Sequence, residues 1–146
     1  MTNRRIPRRV RLLVRERAHG CCEYCLSQEA YATQGFSVEH IVPLHSEGKT
    51  IASNLALACQ GCNNFKYDKT SATDPASHQV ASLFHPRRDT WHTHFIWNED
   101  CTLIVGLTST GRATIATLQL NREGVVNLRR VLVSTGKHPP HFPLQQ

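Results

Sequence analysis

The chain has 146 residues, with 17 Lys+Arg against 11 Asp+Glu and nine histidines. This length sets a prior of one compact domain, or a small domain with an extension, and the formal charge of +6 suits a polyanionic partner without proving one. No apolar run approaches the roughly 18 residues needed to span a bilayer, and the basic start MTNRRIPRRV has no apolar signal core behind it. Six cysteines are too few for a secreted disulfide scaffold of this length, so a reducing, cytoplasmic setting is the expectation.

Residues 1–9 read as a basic arm leading into a helix over 8–18. Val10, Leu13, Val14 and Ala18 recur there at helical spacing. Arg8, Arg11 and Arg15 fall largely on other faces, where they could solvate the helix or lie along phosphates. His19-Gly20 stops the helix. Cys22-x-x-Cys25 then forms a knuckle, which leaves Cys21 as a free, buried thiol. Residues 26–35 are polar and small, a loop, and 36–42 read as a strand ended by Pro43. Residues 46–50 form a loop, and 51–58 return toward a second knuckle, Cys59-x-x-Cys62, which opens a short helix to about Lys69.

Residues 70–80 shift in composition and mark a boundary. Beyond it, 91–97 and 102–107 read as two strands joined by 98–100. The run 112–121 fits a helix, and Asn121 can cap another in which Val125, Leu128 and Leu132 share a face before Gly136. The proline-broken tail 137–146 should lie over the surface. Arg87 and Arg88, interleaved with aromatics, suit nucleic acid. His85, His92 and His94 could hold a metal or simply edge a half-buried strand.

Two C-x-x-C pairs separated by a longer insert suit a structural zinc with Cys22, Cys25, Cys59 and Cys62 as ligands. Four unpaired core thiols or redox pairs are the alternatives, but no thioredoxin-like βαβ pattern surrounds either C-x-x-C. Four thiolate charges offset by the ion's two would leave the chain at +4. Such a site is closed, so this zinc builds structure and does no chemistry. With the sulfurs pinned, Glu39, His40, Asn54 and Asn63 come within reach of one another. Strand alternation nevertheless points Glu39 and His40 to opposite faces unless the backbone is distorted.

The segment around 18–69 resembles the HNH endonuclease family. Glu39-His40-Ile-Val-Pro resembles its first element, Asn54 in SNLALAC its central asparagine, and Cys62-Asn63-Asn-Phe-Lys66 its closing element. Glu39 stands where aspartate is commoner, and Asn63 where the last histidine is. The resemblance implies an α+β fold: a ββα-metal (His-Me finger) core with a four-cysteine zinc site, in residues 1–75, and a C-terminal ββαα-like extension, 76–146, packed on it. It implies His40 as general base, and Glu39 and Asn63 as ligands of a catalytic Mg²⁺ or Mn²⁺. Asn54 would hold the loop and Lys66 would face the phosphate. The implied reaction is hydrolysis of a DNA phosphodiester, with RNA as a second possible substrate. Each role has a plain alternative: Asn54 as a turn cap, Asn63 as a helix cap, Lys66 as a surface lysine. The competing function is an inactive zinc module that binds nucleic acid or protein.

Overall fold

In the computed structural model, residues 6–141 are described. The far ends of the basic arm and of the proline-rich tail, 1–5 and 142–146, lie outside them. Helix α1 (Arg8–Arg17) buries Val14 and, just past its end, Ala18. Leu13 is not part of that stripe and is 49% exposed. The buried side instead turns toward Arg15 and Arg17, whose guanidinium groups reach across to backbone carbonyls of Phe36 and Leu55. His19 and Gly20 both have positive φ, 54° and 68°, and end the helix as expected.

Strands β1 (Ser37–His40) and β2 (Leu55–Ala58) pair antiparallel, with His40 opposite Leu55 and Glu39 opposite Ala56. All four residues of β2 are buried. The connection between them folds back tightly. Gly48 has no room for a Cβ, which would sit 1.8 Å from the Val42 carbonyl oxygen. Helix α2 (Gln60–Lys66) begins at Cys59, whose sulfur accepts a hydrogen bond from the Cys62 N–H at 3.5 Å. The hairpin and this helix make the ββα unit, and the α+β class stands.

Residues 70–80 are not a loose boundary. They carry β3 (Ser71–Thr73), which pairs with β4 (Val80–Ser82). Asp74 at the hairpin turn is buried and held by the Arg112 guanidinium at 3.0 and 2.9 Å. Period-two alternation is too short over three residues to show this hairpin in the sequence. Next come a single turn α3 (Trp91–His94), then β5 (Phe95–Trp97) paired with β6 (Ile104–Gly106). The histidine-rich half of the expected strand 91–97 is thus helical.

Helix α4 (Ser109–Leu118) starts earlier than the composition suggests, because Thr108 caps it by accepting from the Gly111 N–H. Helix α5 (Glu123–Ser134) is not capped by Asn121. That side chain instead bonds both the N–H and the carbonyl of Ile104. The α5 face inside the protein is Val126, Arg129 and Leu132, not the Val125–Leu128–Leu132 stripe. Arg129 is admitted because its guanidinium donates to the carbonyls of Thr102 and Leu120 and lies over the Trp97 ring. One apolar cluster runs from Val14 and Leu57 through Phe84 and Phe95 to Leu118 and Leu120, so both halves of the chain share a core.

Candidate functional site

The four knuckle sulfurs converge. Cys22, Cys25, Cys59 and Cys62 are all buried, and their Sγ atoms lie within 4.8 Å of one another. A zinc ion with four Zn–S bonds of about 2.3 Å sets its sulfurs about 3.8 Å apart, and Cys25 and Cys59 stand at 3.7 Å. The donor set therefore fits zinc. It is also the single group of three or more potential His, Cys, Asp or Glu ligands among the described residues, so the histidines at 85, 92 and 94 form no second centre. His85 Nδ1 accepts from the backbone of Arg87 and Arg88, and His94 Nδ1 meets Thr108 Oγ1. Cys21 is buried outside the group, and burial pushes its thiol up to about 12.

The first knuckle does more than supply sulfur. Glu23 accepts from the Leu57 N–H on β2 at 2.9 Å and pairs with Arg87 from the extension. The Tyr24 carbonyl accepts from the indole N–H of Trp91 at 3.0 Å. The Tyr24 hydroxyl turns the other way and donates to Glu39.

Strand alternation decides the neighbouring site. Glu39 points inward and is 7% exposed, whereas His40 is half-buried on the opposite side. One Glu39 oxygen takes the Tyr24 hydroxyl, and the other faces Lys66 Nζ at 3.5 Å. Lys66 is itself 1% exposed and donates to the Ile41 carbonyl at 2.8 Å. Burial raises the pKa of Glu39, with Lys66 and Tyr24 pulling it back. As placed, Glu39 does not fit as an open ligand for a second cation: both oxygens are engaged, and the group is closed to solvent. Lys66 likewise spends its charge on Glu39. It is neither a surface lysine nor directed at an external phosphate.

His40 stands at the end of β1, and its Nε2 is 2.8 Å from Thr50 Oγ1 in the connecting loop. Burial lowers its pKa below the ordinary imidazole value, favouring the neutral ring. Asn54 is buried and bridges the same loop. Its Oδ1 accepts from the Val42 N–H at 2.9 Å, and its Nδ2 donates to the carbonyls of Val42 and Lys49. One side-chain amide thus ties the start of the loop after His40 to its far side. Asn63 lies half-buried on α2, one turn before Lys66. A cleft of about 480 Å³ opens at Ile41, one residue beyond His40, and is lined among others by Lys66, His85 and Arg88.

The arginines divide. Arg8 and Arg88 are exposed and Arg11 is half-buried. Arg15 is tied to Glu29 at 3.3 Å and to the Phe36 carbonyl at 2.9 Å, and Arg87 to Glu23. Two site residues carried no sequence signal. Tyr24 looks like spacer within a knuckle. Arg122 lies 60 residues beyond Cys62 in the chain, yet donates to the Cys59 sulfur at 3.2 Å and the Cys62 sulfur at 3.7 Å.

Neither the curated proteins nor the solved structures searched yield a match to this chain. Residues 22–69 match the family model described as HNH endonuclease, a span that contains both knuckles, the hairpin and α2. That match coincides with the segment whose sequence resembles the same family.

Proposed function

We propose that this protein hydrolyses phosphodiester bonds of DNA, with His40 as the general base. The observation that supports this most is the setting of His40 inside the matched segment. With Nε2–H donated to Thr50, the Nδ1 lone pair would be free to take a proton from water, and burial favours the neutral ring. The deprotonated water would attack phosphorus as the bond to the 3′-oxygen breaks, and that oxygen would take a proton from solvent, giving 5′-phosphate and 3′-hydroxyl ends. Asn54 would act by holding the loop that carries Thr50, without touching substrate. Arg88 and the exposed arginines of α1, Arg8 and Arg9, would meet the backbone of the nucleic acid.

A requirement for Mg²⁺ or Mn²⁺ belongs to this reading, with Asn63 as the less encumbered of its two expected ligands. The other expected ligand, Glu39, is closed by Tyr24 and Lys66. That closure favours a second reading, a zinc-built module that binds nucleic acid without cutting it. Purified protein incubated with supercoiled plasmid separates the two. Nicking that needs Mg²⁺ or Mn²⁺ and disappears in His40→Ala is the expected result. Equal nicking by wild type and His40→Ala removes the base assignment, and binding without nicking establishes the module. A parallel RNA substrate decides which polymer is cut.

A further inference from the structure

Arg122 sits in the turn between α4 and α5, and its guanidinium is directed at the four-cysteine cluster. Nη2 donates to the Cys59 sulfur at 3.2 Å and Nη1 approaches the Cys62 sulfur at 3.7 Å. Nη1 also donates to the Gln119 carbonyl at 3.1 Å, so one planar group joins the end of α4 to the second knuckle. The knuckle leaves room for it. A Cβ on Gly61 would fall 2.5 to 2.8 Å from three atoms of the Arg122 side chain, and its three closest neighbours all belong to that one residue. The same place is the more open side of the cluster. Cys59 is 7% exposed while Cys22, Cys25 and Cys62 are fully buried, and a groove of about 380 Å³ lined by Cys59, Gly61 and Arg122 leads to it.

A zinc ion held by four thiolates carries a net charge of −2, which burial makes costly unless a donor or a cation faces the sulfurs. We propose that Arg122 is the residue of the C-terminal extension that holds the zinc in place. It neutralises the thiolates and covers Cys59, the sulfur nearest solvent, and Gly61 is glycine so that the guanidinium can reach them. This rests on the zinc reading of the four cysteines. Its consequence is that the extension is part of the metal site, and the finger without it holds zinc more weakly.

The experiment measures zinc release from the full chain into excess chelator, followed with a colorimetric zinc indicator, after elemental analysis has given the zinc content. Arg122→Met keeps the bulk and removes the charge, and it should release zinc about 10-fold faster or more. Arg122→Lys keeps the charge but loses the two-sulfur geometry, and it should fall between. Gly61→Ala should also speed release, although alanine favours helix over glycine. In the Arg122→Met background Gly61→Ala should add nothing, because the group it displaces is gone. Far-UV circular dichroism before chelation verifies that each variant is folded. Zinc present, with release unchanged in both Arg122→Met and Gly61→Ala, overturns the role of Arg122 and leaves the zinc site standing. Wild-type protein without zinc overturns the site itself and the inference with it.

Discussion

The two ends of the finger are built on opposite plans. At the knuckles, four identical buried donors converge within 4.8 Å, with an arginine from a distant turn facing them. At the far end of β1, the polar groups are unlike one another and separated by the strand: His40 meets Thr50 on one side, and Glu39 meets Tyr24 and Lys66 on the other. Thiolates with a single shared ion need only proximity to form a site. A hydrolytic site needs a base with a free lone pair beside water. On the proposed reading the closed end would serve stability, and the more open end, with His40, would carry the proton transfer.

The largest effect should come from breaking the closed end. Cys59→Ser, or removal of metal with a strong chelator, should abolish the cooperative thermal transition seen by circular dichroism, because the ion's binding energy is folding energy in a site of this kind. A folded, metal-free chain with an unchanged transition would contradict the staple.

Next in size is the buried side of β1. Lys66→Met leaves the Glu39 carboxylate without its cation in a closed site, and it should cost about 3–5 kcal/mol in urea unfolding. The double variant Glu39→Gln/Lys66→Met should recover a large part of that loss. A loss under about 1 kcal/mol in the single variant would show that the pair is solvated in solution. Asn54→Ala removes three hydrogen bonds to the part-buried backbone of Val42 and Lys49 and should cost about 1–2 kcal/mol. Cleavage should fall with it, as Thr50 and His40 lose their register.

The smallest effect concerns the open side. Burial depresses the His40 pKa, so its neutral form persists to lower pH than that of an ordinary imidazole. The acid limb of the pH–rate profile for plasmid nicking should have its midpoint below about 6.5. A midpoint clearly above that would mean a partner anion reaches His40 in the active complex.

Legibility followed sequence distance. The knuckles, His40 and Asn54 lie in one segment where spacing carries meaning: two residues between sulfurs make a turn that aims both at one ion. The stop at His19-Gly20 and the span of α1 were readable for the same local reason. The β3–β4 hairpin was not, because each strand has three residues and its anchor, Asp74 with Arg112, joins positions 38 apart. The inward face of α5 was misread since an arginine there signals solvent until Thr102 and Leu120 are seen to offer carbonyls. Glu39 stood between two expectations, metal ligand by resemblance and opposite-face residue by strand alternation, and the alternation prevailed.

By itself the sequence determined that four cysteines would converge as potential metal ligands, that a histidine and an asparagine would flank the loop beside them, and that this segment would match the HNH family model. Those features are written in spacings of a few residues, where covalent geometry leaves little choice. Only the tertiary structure decided what each charge is used for. Whether Lys66 meets a phosphate or Glu39, whether Arg15 and Arg87 face nucleic acid or Glu29 and Glu23, and whether Arg122 reaches solvent or sulfur depend on which chain segments pack together. A buried charge takes the nearest opposite or polar partner that packing provides, and that partner can come from anywhere in the chain.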